Sequence, residues 1–270
     1  MTSSNIAGLL RCSLCAFHSA NLHLGADELS SIYSEKYFEG EEYANYLADR
    51  SVIEKSFRGR LRTLLRYTPD AQKKDLFEVG CAYGLFLNLA RTSYRNVSGM
   101  DISHAAVEFA RSELCLNVHC GDLLSSDLPE RIDVACLWDT IEHLSRPDLY
   151  IEKLATAMPK GGVIAITTGD IESKVARWRG KKWRQIHPPT HLQYFSKKTL
   201  SMLLERRGFI VRYAGYDGMY RNVESMSYIV FALKRRQMKI HNALKNLGAL
   251  NFDLYLNLRD IMFLIAEKQF

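Results

Sequence analysis

Residues 75–90 read DLFEVGCAYGLFLNLA, and this stretch decides the fold. A short apolar run holding one acid, Glu78, meets two glycines four positions apart, Gly80 and Gly84, and passes directly into an apolar helical stretch. The pattern is a strand, a tight turn and a helix start. Such a turn offers backbone N–H groups and the positive end of a helix dipole to a ligand. A dinucleotide fingerprint is G-x-G-x-x-G, because a pyrophosphate needs close approach to the backbone. The order Gly80-Cys81-Ala82-Tyr83-Gly84 lacks that spacing. An acid two residues before the first glycine would repel a pyrophosphate. It suits a cationic ligand, such as an amino-acid ammonium beside a sulfonium.

Outward from this turn, apolar runs alternate with amphipathic helical stretches, the pattern of an open α/β sheet with helices on both faces. The expected strands are 75–79, 96–101, 117–121, 132–138 and 162–168, followed by 209–216 and 260–267. Helices are expected near 84–93, 103–114, 147–158 and 196–207, with Ser103 as an N-cap and "PKGG" at 159–162 as a stop. Two further acids end the second and third strands. Asp101 is placed where a carboxylate accepts both ribose hydroxyls, and Asp122 where it meets an adenine amino group. Three acids at three successive strand ends define a nucleoside pocket with no phosphate site, which S-adenosylmethionine (SAM) fits better than NAD.

The segments "FEVGCAYG", "GMDIS", "CGDLL", "IDVACLWDTIEHL" and "MPKGG" resemble the successive motifs of class I SAM-dependent methyltransferases, over roughly residues 75–168. The resemblance implies a Rossmann-like seven-stranded sheet, mostly parallel with an antiparallel last strand. It implies SAM contacts at Glu78, Gly80, Ala82, Gly84, Asp101, Ile102, Asp122 and Leu123, with Cys81 and Trp138 counted in the same cofactor-binding set. Ala82 stands where many members carry glycine, a departure expected to cost little beyond a tighter approach to the ligand.

"LWDTIEHL" follows the fourth strand, beside the place where a methyl group would emerge. Methyl transfer is an in-line displacement, so a protein mainly aligns acceptor and sulfonium. An acceptor hydroxyl must also lose its proton, which a histidine titrating near neutrality can take. His143 is the candidate base, with Glu142 or Asp139 as orienting partners; the bland alternative is a histidine that only holds the loop. The ending resembles that of ubiquinone-pathway O-methyltransferases and sugar C-methyltransferases.

Residues 169–195 form a long polar and aromatic connection, and a loop of this length in a compact domain is usually functional. Its "HLQYFS" resembles a segment of methyltransferases from bacterial glycan and secondary-metabolite pathways. Trp178 and Trp183 can floor a sugar or flat ring, while Arg179, Lys181, Lys182 and Arg184 can hold an anionic group such as a diphosphate. His187 and His191 complete the acceptor-side candidates. The competing reading is that His191 and Phe195 pack the loop onto the core and the cations are solvated.

The N-terminal 1–70 is expected as a Cys-x-x-Cys segment and helical lid ahead of a methyltransferase domain at 71–270 with a helical insertion at 220–258. Cys12 and Cys15 are half of a zinc ribbon, and with no second pair, and only His18 and His23 to substitute, no metal is expected. Tyr33, Tyr37, Tyr43 and Tyr46 lie on the expected lid. The basic stretch "FALKRRQMKIHNALKNLG" has the character of an amphipathic helix, with a solvated face as the default and membrane contact as the alternative.

The chain has 270 residues, 47% hydrophobic and 24% charged, with six cysteines mostly in apolar contexts, so a cytoplasmic globular protein with reduced thiols is expected. There is neither a run of about 18 apolar residues nor a basic-then-apolar leader, so no membrane span or secretion signal is expected. A charge of +6 permits an anionic small molecule, a membrane surface or RNA. Nucleic acid is set aside because the basic residues do not interleave with aromatics on a continuous face. The resulting expectation is methyl transfer to a small-molecule or nucleotide-sugar acceptor, at oxygen. The alternatives are a membrane lipid or quinone acceptor, and a protein that binds SAM without catalysis; the oligomeric state stays open.

Overall fold

The computed structural model describes residues 1–4, 6, 8–22, 47, 49–228, 231 and 237–270, which form two sheets. In the smaller, strands β1 (Thr2–Ser3), β2 (Leu9–Arg11) and β3 (His18–Ala20) run antiparallel in sequence order. The edge of β3 then pairs with β9 (Gln193–Tyr194), His18 opposite Tyr194. The N-terminal strands are thus stitched to the long 169–195 connection. Leu9 and Ala20 share a small core with Ile171, Ala176, Trp183 and Tyr194. The tyrosines Tyr33, Tyr37, Tyr43 and Tyr46 of the expected lid, and His23, lie outside the described residues.

The larger sheet has seven strands. Its parallel members are β4 (Asp75–Val79), β5 (Asn96–Asp101), β6 (Asn117–Cys120), β7 (Val134–Trp138) and β8 (Val163–Gly169). With β10 (Phe209–Asn222) and β11 (Asp253–Lys268) the spatial order is β10-β11-β8-β7-β4-β5-β6. The last strand, β11, runs antiparallel to both its neighbours, as the family resemblance implied. Every residue of β7 and β8 is buried, which explains why both read as unbroken apolar runs instead of alternating.

Side-chain parity decides what each face receives. Leu76, Val134, Cys136 and Trp138 point into one core layer, and Phe77, Val79, Ala135 and Leu137 into the other. The first layer is closed by α1 (Arg50–Leu65), α2 (Leu85–Ala90) and α3 (His104–Ser112), through Leu61, Leu64, Phe86, Leu87 and Val107. The second is closed by α4 (Pro147–Ala157) and α6 (Lys197–Glu205), through Ile151, Leu154, Leu200 and Leu204. Between these two helices the connection holds a short α5 (Lys174–Arg179). The caps are as expected: the Ser103 hydroxyl accepts from the Ala106 N–H, and proline opens α4. Ser196 and Thr199 form a reciprocal capping box on α6. By the same parity Glu78, between Phe77 and Val79, faces the layer covered by α1.

The last two strands run longer than the expected 209–216 and 260–267. After an irregularity between Asp217 and Met219 their pairing resumes from Met219–Leu256 to Asn222–Asp253. The helical content of 220–258 includes, among the described residues, α7 (Val223–Ser227), continuing as π-helix at Tyr228, and α8 (Met238–Asn246). The extension escapes sequence reading because Leu254, Tyr255 and Leu258 are exposed, so no burial alternation marks it. A cross-strand ring pair, Tyr220 and Tyr255 at 5.1 Å, helps hold it. No helix among the described residues is long and apolar enough to cross a membrane.

Candidate active site

The carboxyl ends of β4, β5, β7 and the loop after β6 surround one cleft of about 640 Å3. It is lined by Glu78, Gly80, Cys81, Ala82, Asp101, Ile102, Asp122, Leu123, Trp138, Asp139 and His143, so most of the residues singled out in the sequence converge on one place. Ligands of open parallel sheets sit at this end of the strands.

The turn after β4 is shaped by two constraints. Gly80 has φ +72°, and a Cβ there would lie 2.6 Å from Thr140 Oγ1, so only glycine lets this turn pass the one after β7. Gly84, also at φ +72°, does not line the cleft; it caps α2, where a Cβ would meet Leu116 Cδ1 at 2.5 Å. Ala82 is held at φ +46° while its N–H donates to Asp101 Oδ2 at 2.7 Å. The departure from glycine therefore costs backbone strain, which close approach alone did not reveal. Ala82→Gly is expected to raise stability by about 0.5–1 kcal/mol, the left-handed penalty less the flexibility glycine adds to the unfolded chain. Chemical denaturation checks this; a loss of stability would contradict it.

The acids differ in their partners. Asp101 is buried and takes two backbone N–H groups, from Ala82 at 2.7 Å and Ser103 at 2.9 Å. Burial raises its pKa against those two hydrogen bonds. Asp122 sits in its own Asx turn, accepting from the Leu124 N–H at 2.7 Å, and also accepts from the Tyr150 hydroxyl. Glu78 is only 2% exposed, and among the described residues its Oε2 has no hydrogen-bond partner. Burial, and secondarily the Asp101 charge, push its pKa well above the carboxylate range, against the pull of Arg60. A buried carboxyl with an unmet oxygen at a cleft wall is a site prepared for a cation.

Arg60 of α1 was not singled out from the sequence, where it belongs to a run of basic residues resembling a solvated face. It is 3% exposed and ion-pairs with Asp139 at 2.9 Å and Asp217 at 2.7 Å. Its guanidinium also lies 5.5 Å from the ring centres of Phe57 and Trp138. Burial disfavours its charge, but the two carboxylates outweigh burial and raise its pKa. Asp139, one of the two expected orienting partners of His143, is thereby committed to Arg60. Tyr150 and the 219–226 segment, including Arg221, Asn222 and Ser225, also line the cleft and were not foreseen.

A 3-10 turn, Ile141–His143, sets Glu142 and His143 side by side. His143 Nδ1 lies 2.9 Å from the Thr190 carbonyl, so a backbone oxygen orients the ring, where a carboxylate was expected. Burial pushes its pKa down to about 4, against hydrogen bonding to the Thr190 and Asp139 backbones. Glu142 is 3% exposed, and burial together with the Asp139 charge pushes it up to about 8.

The acceptor-side candidates of 169–195 do not line this cleft. Trp178 is 83% exposed, and Arg179 donates to the Lys182 carbonyl at 3.3 Å. Trp183 is buried and donates its indole N–H to Asp260 at 2.9 Å, and Arg184 pairs with the same carboxylate at 2.9 Å. These two fasten the connection to β11. His191 packs edge-on against His143 with ring centres 4.7 Å apart, and His187 bonds to Thr190. Phe195 is buried in the second core layer.

A family model described as a methyltransferase domain matches residues 49–214, more than half of the chain. Among curated relatives, a ubiquinone biosynthesis O-methyltransferase of Nitrobacter winogradskyi is 24% identical over 98 residues, 34% of this chain and 38% of that protein. A dTDP-4-amino-2,3,4,6-tetradeoxy-D-glucose N,N-dimethyltransferase of Saccharopolyspora spinosa is 33% identical over 103 residues, 36% of this chain and 41% of that protein. The chain thus spans well under half the length of either. Among solved structures, magnesium protoporphyrin IX methyltransferase of Synechocystis with bound SAH aligns over 87% of this chain and 92% of its own, with a TM-score of 0.56 at 14% identity. That likeness is one of fold.

Proposed function

Because the chain belongs to the class I SAM-dependent methyltransferases, we propose that it methylates an oxygen of a small-molecule or activated-sugar acceptor that meets the cofactor at the His143 edge of the cleft. SAM supplies a methyl group already activated on a sulfonium. The residues present fit it: the Glu78 oxygen, unmet among the described residues, suits its ammonium, Asp101 its ribose and Asp122 its adenine, while glycine at 80 lets the turn pass Thr140 where a Cβ would clash. The volume is in the range of small-molecule sites, about 300–1,000 Å3.

The observation that carries the reading is the shared cleft, which is lined both by three strand-end acids and by the neutral imidazole of His143. The curated relatives' names span an oxygen acceptor in quinone synthesis and an amine on a nucleotide sugar. An amine with a free lone pair needs no proton removed before attack, whereas a hydroxyl does. The lone pair of His143 favours the hydroxyl, and His143 is the side chain through which that oxygen becomes nucleophilic. As a simple base at about 4 it is weak, and it matches an acceptor whose hydroxyl is made acidic by its surroundings. His143→Ala is expected to lower turnover about 10²-fold with SAM affinity unchanged. Single-turnover transfer beside calorimetric SAM titration reads both, and unchanged turnover would remove His143 from this role.

A further inference from the structure

The cleft has a second part that the strand-end acids do not form. It is lined by residues between Asp49 and Arg60, along α1, and by the 219–226 segment, where β10 ends and α7 begins. The two run side by side. Asp217 pairs with Arg60, the Tyr220 N–H donates to Ser56 Oγ at 2.9 Å, and the Ser225 hydroxyl donates to Asp49 at 3.3 Å. From Arg60 back to Asp49 the chain covers roughly 16 Å, at the helical rise of about 1.5 Å per residue. This lining therefore reaches well beyond the ion pair that joins Arg60 to Asp139.

Its small polar side chains are already occupied. Ser56 Oγ accepts from Tyr220 and donates to the Val52 carbonyl at 3.0 Å. Asn222 Oδ1 accepts the Ser225 N–H at 2.9 Å, capping α7, and its Nδ2 donates to Asp253 at 3.3 Å. Asp49 and Ser225 serve one another. What this leaves for a ligand is the apolar surface of Val52, Ile53, Phe57, Met219 and Met226, with the Tyr220 ring held against Tyr255. A polyhydroxylated body seated here would leave hydroxyls desolvated and unpartnered, which costs free energy for each one. An apolar or flat body carries no such cost.

The same stretch carries two arginines. Arg60 is consumed by Asp139 and Asp217. Arg221 is exposed, lines the cleft, and among the described residues its guanidinium has neither an ion pair nor a hydrogen bond.

We infer that this part of the cleft seats an acceptor with an apolar or flat body and an anionic group, a carboxylate or phosphate monoester, received by Arg221. The planar guanidinium offers paired N–H donors that match either anion. The inference rests on the proposed reading of the cleft and narrows its acceptor, because a sugar body finds too few partners here. Arg221 is then a specificity-determining residue, binding the acceptor far from the atom that is methylated.

The test is calorimetric binding to the full chain saturated with S-adenosylhomocysteine, which keeps the cofactor's own carboxylate in place. The probes are 6-hydroxy-2-naphthoate, 2-naphthyl phosphate, neutral 2-naphthol and glucose 1-phosphate. One naphthyl anion per chain is expected to bind, about 10-fold or more tightly than 2-naphthol and than glucose 1-phosphate. The stronger of the two anions identifies the group as carboxylate or phosphate. Arg221→Met should bring the anions down to the level of 2-naphthol, and Arg221→Lys should keep most of the difference. SAM affinity of both variants should be unchanged, which also shows that they are folded. Failure of both anions to bind, anion binding unaltered in Arg221→Met, or glucose 1-phosphate binding as tightly as 2-naphthyl phosphate overturns the inference. Loss of SAM affinity in Arg221→Met also overturns it, by assigning the cation to the cofactor's carboxylate. Binding is read without methyl transfer. Selective binding through Arg221 therefore supports the subsite even if no oxygen is methylated, an outcome that counts only against the reading beneath it.

Discussion

Arg60→Met is expected to lower stability by about 3–5 kcal/mol, because it strands the two carboxylates that the guanidinium now serves. Asp217 is half-buried, and desolvation already pushes its pKa upward, with Arg60 pulling it back. Asp139 is held at φ +51°, a conformation its ion pair helps maintain. The methionine would still pack beside Phe57 and Trp138, so most of the loss is electrostatic. Against a typical domain stability of about 5–15 kcal/mol, this is a severe change. Adding Asp139→Asn and Asp217→Asn should recover much of it, since neutral amides bear burial better than unpaired carboxylates. Urea unfolding of the single and triple variants checks this. A triple variant no more stable than the single one would show that Arg60 acts by packing alone.

Glu78→Gln is expected to move stability and affinity in opposite directions. In the free chain Glu78 is a carboxyl whose charged form is disfavoured by burial and by Asp101. Its folded pKa lies above its unfolded value, so the folded state holds its proton more tightly. Stability is therefore lost as pH rises from the ordinary carboxylate range through the raised value. The glutamine removes that loss and should stabilise the free chain near neutrality by about 1–3 kcal/mol. SAM brings an ammonium that needs the carboxylate, so affinity should fall by roughly 10–100-fold, the worth of a charge-assisted hydrogen bond. Affinity of the unaltered chain should likewise weaken as pH falls through the raised value. Calorimetric titration across pH tests both, and a Gln variant that binds SAM as the parent does would remove Glu78 from the ammonium site.

The convergence of the strand-end residues on one cleft was legible because its signals are local. Glu78, Gly80, Asp101 and Asp122 sit at strand ends, where a parallel sheet must present them together. The N-cap at Ser103 and the stop near Gly161 follow from residue types alone. Arg60 was hidden because burial of a cation depends on partners 79 and 157 positions away, at Asp139 and Asp217. The tryptophan–arginine loop had the composition of a binding surface, yet Trp183 and Arg184 spend their polar groups on Asp260. Nothing local distinguishes a tryptophan that floors a ligand from one that anchors a loop. The proximity of His191 to His143 was equally out of reach, because it is set by the path of the connection after β8. Ala82 shows the converse case: a one-residue departure was visible in sequence, but its left-handed backbone was not.

The most direct test of the account is transfer of radioactive methyl from SAM into a metabolite extract by the purified chain, fractionated into polar small molecules, lipids and macromolecules. The account predicts SAM-dependent label among the polar small molecules, held as methyl ethers that withstand mild base, and strongly reduced with His143→Ala. Label confined to nucleic acid, protein or lipid, or tight SAM binding with no transfer to any fraction, would contradict it.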